Sequence, residues 1–143
     1  MTADPTTRTR VLLADDHAAT LRRWRELLEP EFEVVGSVGD GEALVAEAER
    51  LSPDVIVTDV AMPRMSGISA ADAILRRHPA ARIVFATAHA DRTLLRRSLA
   101  VGAFGYVLKV KAGDELVPAV RSALREELHI SRFPQADEPG KVG

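Results

Sequence analysis

Five polar residues in this sequence stand at or near the ends of apolar runs and have the types that could do chemistry together. "VLLADDH" (11–17) stops on Asp15 and Asp16, "DVIVTDV" (54–60) carries Asp59, "RIVFATA" (82–88) carries Thr87 and "FGYVLKV" (104–110) carries Lys109. Carboxylates that are buried lose hydration, and close together they repel each other. They stay ionised as a group only beside a cation. A hard ion that prefers oxygen and binds through one or two carboxylates fits that need, which points to Mg²⁺, with Mn²⁺ as a second choice. The chain has no cysteine, and neither His17 nor His89 repeats at a metal-ligand spacing, so zinc is not indicated. A cation, a lysine and a hydroxyl donor in one cleft would also neutralise the oxygens of a phosphoryl group. An aspartate that attacks phosphorus forms an acyl phosphate, a recognised form of covalent catalysis.

The elements that must position these residues follow from the apolar pattern. "RVLLAD" (10–15), "FEVVGSV" (32–38) and the three later runs are nearly continuous and β-branched, which suits parallel strands covered on both faces. Helical stripes lie between and after them: Leu21, Trp24, Leu27 and Leu28; Leu44, Ala48 and Leu51; Ile68, Ala71, Ile74 and Leu75; Leu95, Leu99 and Gly102; Leu116, Val117, Val120 and Leu124. Pro53 and Pro79 punctuate the ends of the second and third. The alternation predicts an α/β fold, a doubly wound, five-stranded parallel sheet, (βα)5. If its order is the flavodoxin-like 2-1-3-4-5, the second strand lies at the margin and the other four converge on one crevice. Ligands in such sheets bind beyond the carboxyl ends of the strands, where the order reverses. Four of the five runs deliver a charged or hydroxyl side chain to that edge.

Each of these residues has an ordinary structural explanation when taken singly. Asp16 suits a helix N-cap, Asp59 a turn before "MPRMSG", Thr87 a strand, and Lys109 a strand end from which its ammonium reaches water. Their recurrence at the same edge of successive strands outweighs those explanations.

Composition narrows the function classes. With 143 residues, 46% hydrophobic and 28% charged, the chain accommodates one domain with a real core, expected over residues 9–128. Residues 1–8 read as a disordered N-terminus. "HISRFPQADEPGKVG" (129–143) reads as a mobile tail or linker stump. The net charge of −2 gives no basic field for nucleic acid, and the pairs Arg22/Arg23, Arg76/Arg77 and Arg96/Arg97 read as solvated helix faces. No run approaches the roughly 20 apolar residues of a membrane span, and "MTADPTTRTR" lacks a signal-peptide core, so a soluble cytoplasmic protein is expected. His17, His78, His89 and His129 read as surface or loop residues, and Trp24 as core packing.

In combination, "ADD", "VTDVAMPRMSG", "ATAH" and "GAFGYVLK", in that order, resemble the receiver domain of two-component response regulators over roughly residues 9–128. The resemblance implies that Asp59 accepts a phosphoryl group from a phosphohistidine on a sensor histidine kinase or a histidine phosphotransfer protein. It implies a Mg²⁺ site made by Asp15, Asp16, Asp59 and the backbone carbonyl of Ala61. Lys109 matches the lysine that pairs with phosphoryl oxygens, Thr87 the hydroxyl that hydrogen-bonds the new group, and Tyr106 the switch aromatic. In the family that hydroxyl moves toward the phosphate and the ring turns inward, altering the surface formed by the fourth helix, fifth strand and fifth helix, which an output domain, a downstream protein or a second copy would read. Ala61 and His89 match positions that modulate phosphoryl lifetime. Many receivers follow the lysine with a cis proline. Here Val110 follows, and a trans peptide is expected because a non-proline cis bond costs about 2.5–4 kcal/mol.

"GAFGYVLKVKAGDELVPAVRSAL" is most similar to receivers joined to a helix-turn-helix output domain of the LuxR/NarL kind. A stand-alone receiver and the front part of a transcription factor are both open readings. The expected role is a signalling switch, with no enzymatic activity beyond its own phosphorylation and dephosphorylation. Rival readings are a Mg²⁺-dependent phosphatase with an aspartyl nucleophile, a nucleotide- or flavin-binding module, and a degenerate receiver that only binds partners. The first lacks D-x-D-x-T after the first strand, and the second lacks a G-x-x-x-x-G-K-[ST] loop. The complete set of acidic pair, acceptor, hydroxyl and lysine argues against the third.

Overall fold

The computed structural model describes residues 8–134. Strands β1 (Arg10–Ala14), β2 (Glu33–Val38), β3 (Val55–Thr58), β4 (Arg82–Thr87), β5 (Gly105–Leu108) and β6 (His129–Ile130) alternate with helices α1 (Ala18–Leu28), α2 (Gly41–Leu51), α3 (Gly67–Arg77), α4 (Arg92–Ala100) and α5 (Ala112–Leu124). All strand pairs are parallel, in the order β2-β1-β3-β4-β5-β6. The expected 2-1-3-4-5 arrangement is present, with one short strand added at its edge.

The residues of β3 and β5 are buried throughout, as continuous apolar runs require, whereas β2 at the margin is only half-buried. Successive side chains in a strand point to opposite faces, so each strand feeds two cores. Val11, Leu13, Val57 and Val84 pack with Trp24 and Leu28 of α1 and Leu116 and Val120 of α5. Leu12, Ile56 and Phe85 pack with Leu44 and Ala48 of α2 and Ile74 of α3 on the other side. Burying a side chain of this size stabilises by about 1.5–3 kcal/mol.

Helix starts are set by short polar residues. Asp40 accepts from Ala43 N at 2.8 Å, Ser66 from Ser69 N at 3.1 Å and Asp91 from Leu94 N at 2.9 Å. The start of α1 differs. Its N-cap residue is His17, with no side-chain cap, so Asp16 is left out of capping.

Three expectations are revised. The chain does not leave the fold at residue 128: His129 and Ile130 pair with Gly105 and Tyr106, and Ser131 is buried beside them. The tail expectation therefore fails for residues 129–134, because β5 still had an unpaired edge to offer; residues 135–143 lie outside the described residues. At the other terminus Arg8 donates to the Glu29 carbonyl at 2.7 Å, so it is tied to α1, and residues 1–7 lie outside the described residues. Finally, Leu95 and Leu99 are only half-buried, and the one fully buried residue of α4 is Ser98, whose hydroxyl has no hydrogen-bond partner. α4 is thus the least apolar of the helix contacts with the sheet.

Candidate functional site

The register of the sheet brings the acidic residues together. Ala14 lies opposite Thr58, and the ladder continues beyond the strands as Asp59 N donates to the Ala14 carbonyl at 3.0 Å. Asp15 and Asp59 are therefore neighbours at the carboxyl edge, and both are buried, at 0% and 7% exposure. Lys109 follows β5 directly and opens a 3-10 turn (Lys109–Lys111), with a trans peptide to Val110. Its ammonium donates to Asp15 Oδ1 at 2.6 Å and to Asp59 Oδ2 at 2.9 Å, and lies 5.8 Å from the centre of the Trp24 ring. Burial opposes the charge on Lys109. The hydrogen bonds to Asp15 and Asp59 outweigh it and hold the ammonium above its ordinary value.

The remaining carboxylate oxygens are held by backbone. Asp59 Oδ1 accepts from Val60 N at 2.7 Å and from Ala61 N at 3.4 Å, and Asp15 Oδ2 accepts from His17 N at 2.9 Å. The loop after β3 is pinned by a close approach. A Cβ on Gly67 would stand 1.9 Å from the Asp59 carbonyl oxygen, so only glycine lets α3 start against the strand that carries Asp59.

Thr87 ends β4 opposite Leu108 and is fully buried. Its Oγ1 accepts from His89 N at 3.3 Å, while the carbonyl of the same His89 accepts from the Tyr106 hydroxyl at 2.8 Å. The Tyr106 ring lies inside the molecule. Burial pushes its phenol up to about 12, with the charge of Asp91 adding to the rise.

The charge balance tests whether a metal suits this edge. Asp15 and Asp59 carry two negative charges against one ammonium, and Asp16 beside them adds a third that is one-third exposed. Ligand atoms of Asp15, Asp16 and His17 lie within 4.8 Å of one another, with His17 Nδ1 at 3.3 Å from Asp15 and 3.2 Å from Asp16. Hard oxygens with surplus negative charge and a solvent-facing side fit Mg²⁺.

Asp15, Asp59 and Lys109 are thus in direct contact, and Thr87 and Tyr106 are joined through His89. Asp16 stands at the open side, and Asp59 joins the acidic group through the ammonium and is outside the tight Asp15–Asp16–His17 set. Ala61 is exposed beside Asp59. Three residues had more to do than their sequence reading gave them. His17 joins the acidic pair, and its adjacency in "DDH" was the available signal. His129, read as surface or loop, is on a strand, where its Nε2 stands 3.1 Å from Glu115 Oε1. Phe133 packs on Tyr106, and nothing local in "HISRFP" announces that contact.

A family model described as the response regulator receiver domain matches residues 11–121. The chain is 39% identical over 132 residues to the transcriptional regulatory protein PdtaR of Mycobacterium tuberculosis, covering 92% of this chain and 61% of that protein. It therefore spans about three fifths of the length of that curated relative. A solved two-component response regulator of the LuxR family from Aurantimonas sp. SI85-9A1 is similar with a TM-score of 0.83 and 29% identity, over 95% of this chain and 98% of that one. The isolated receiver domain of RcsB from Salmonella enterica serovar Typhimurium, solved with the phosphomimetic BeF3−, gives 0.80 and 28%, over 88% and 95%.

Proposed function

Since the chain belongs to the response regulator receiver family, we propose that it is a phosphorylation-controlled switch whose acceptor is Asp59. A phosphohistidine on a sensor kinase or phosphotransfer protein is the donor. A carboxylate oxygen of Asp59 attacks phosphorus, the bond to the histidine nitrogen breaks, and that nitrogen keeps the electron pair. The observation that carries this reading is the Lys109 ammonium held between Asp15 and Asp59, a cation already placed beside the acceptor carboxylate. Once the acceptor is an acyl phosphate, that ammonium faces a doubly charged group and pairs with its oxygens. The buried Thr87 hydroxyl, whose oxygen accepts from His89 N, keeps its own proton to donate to a phosphoryl oxygen.

Asp15, Asp16, Asp59 and the Ala61 carbonyl are the residues that would hold Mg²⁺. When bound, the ion supplies charge neutralisation to the transferring oxygens. The RcsB receiver to which the chain is similar was solved with a phosphomimetic, which supports the same chemistry here. The reading further assigns a cytoplasmic location, and an output domain, downstream protein or second copy that reads the face around Tyr106. It assigns no membrane contact, no direct nucleic-acid contact and no turnover of an external substrate.

Incubation with acetyl phosphate, with and without Mg²⁺, tests it on a phosphate-affinity gel. The expected result is a Mg²⁺-dependent retarded band in the natural sequence and none in Asp59→Asn. Labelling that persists in Asp59→Asn removes the assignment.

A further inference from the structure

The last described residues are not a loose end. Behind β6, Ser131 Oγ accepts from Leu108 N at 3.0 Å and donates to Glu115 Oε1 at 2.5 Å, and His129 Nε2 meets the same carboxylate at 3.1 Å. Lys111 Nζ donates to the Arg132 carbonyl at 2.6 Å. Phe133 stands on Tyr106 with ring centres 6.1 Å apart, and the Arg92 guanidinium lies 5.7 Å from the Phe133 ring centre. Pro134 lines an open cavity of about 430 Å³ with His89, Asp91, Leu108 and Lys109, beside the acidic site. One short segment thus spans β5, the start of α5 and the start of α4.

We propose that residues 129–134 form a latch seated on Tyr106, and that a phosphoryl group on Asp59 tightens it. The route is a continuous set of contacts. The His89 peptide donates to Thr87 through its N–H and accepts from Tyr106 through its carbonyl, and the Tyr106 ring is the seat of Phe133. A phosphoryl oxygen that accepts a hydrogen bond from the Thr87 hydroxyl leaves the His89 bond to Thr87 intact and strengthens it through polarisation. That fixes the His89 carbonyl, hence the Tyr106 hydroxyl, hence the ring on which Phe133 rests. Coupling between two sites is reciprocal, so a seated latch also favours the phosphorylated protein. Helix α4, whose single fully buried residue is a serine without a partner, touches the latch through Arg92 and is the least anchored wall of the seat.

The phosphoryl half of this inference rests on the acceptor reading of Asp59. The seat itself does not. Trypsin cutting after Arg132 reads the latch, because the scissile carbonyl is the one bonded to Lys111 and cleavage follows the open population. Without any phosphodonor, Phe133→Ala is expected to raise that cleavage at least about threefold. It should also move the single ¹⁹F resonance of protein labelled at Tyr106, the only tyrosine. Circular dichroism checks that the variant is folded, and Ser131→Ala, which removes a different contact of the latch, should move both readouts in the same direction. With acetyl phosphate and Mg²⁺, the natural chain should be cut at least about threefold more slowly, and Asp59→Asn should not change. Unchanged cleavage in both latch variants overturns the seat. A chain that gains the phosphoryl mass yet is cut at the same or a faster rate overturns the coupling. A chain that gains no such mass removes the acceptor reading, and the phosphodonor-free comparison then decides the latch alone.

Discussion

The two ends of the sheet both carry charge, largely open to solvent at the amino end and buried at the carboxyl end, and they treat it differently. At the amino end Asp54 Oδ2 accepts from Arg10 N at 2.8 Å, the Arg10 guanidinium donates to the carbonyls of Leu51 at 2.5 Å and Ser52 at 3.1 Å, and Arg82 meets Glu126 at 3.3 Å. There a carboxylate takes a backbone N–H, a guanidinium takes the orphan carbonyls at the end of α2, and an arginine takes an acid. A cavity of about 420 Å³ lies at this end, lined by Asp54, Arg77, His78 and Arg82 among others, and each of its two guanidiniums meets an acid just outside the lining, Arg77 with Glu49 at 3.4 Å and Arg82 with Glu126. At the carboxyl end two buried carboxylates share one ammonium, and a third acid stands beside them. One end has its charges matched and serves the fold. The other is left short of positive charge, which is a standing demand for a cation.

The sharpest way to break this comparison is to remove the shared cation. Lys109→Met leaves Asp15 and Asp59 buried and opposed, and should cost about 3–5 kcal/mol by urea unfolding at neutral pH, with acetyl phosphate labelling lost. Equal stability in the variant would show that the carboxylates are not both ionised. Added Mg²⁺ comes next in size. An ion about a hundredfold above its dissociation constant should stabilise the natural chain by about 2.7 kcal/mol in thermal melts, and Asp16→Asn should remove most of that gain.

Alkaline titration tests the carboxyl end. Lys109 and Tyr106 both hold their protons more tightly in the fold than at their ordinary values of 10.5 and 10.0. The stability from each is fully present below those values and is lost as pH rises through the folded ones, about 12 for Tyr106. Stability should therefore decline above pH 10, and less steeply in Lys109→Met. The smallest effect belongs to the amino end. The Arg82–Glu126 pair is largely solvated, and Glu126→Gln should change stability by less than about 0.5 kcal/mol and leave labelling untouched.

The main features of the site were legible in the primary structure because strand ends are legible. An apolar run that stops on Asp15 or passes into Lys109 fixes which side chain emerges at the sheet edge, and βα alternation fixes that those edges face one way. Helix α4 was harder to read. Its stripe of Leu95 and Leu99 has the right period, yet the face turned inward centres on Ser98, since period alone does not set the rotation of a helix against a sheet. "HISRF" was unreadable for a related reason. Two residues give no periodicity, and whether they pair depends on an open edge of β5 that lies more than twenty positions upstream.

By itself the sequence determined the layering, the parallel sense of its five main strands and the identity of the acidic, hydroxyl and basic groups at one edge, because short-range patterning and chain chirality decide those. Only the tertiary structure decided which oxygen each proton meets and which rings touch: that one ammonium bridges Asp15 and Asp59, that His89 links Thr87 to Tyr106, and that Phe133 rests against that ring. Contacts of this kind depend on ångström-scale distances between elements remote in the chain, and no local pattern of residue types carries that information.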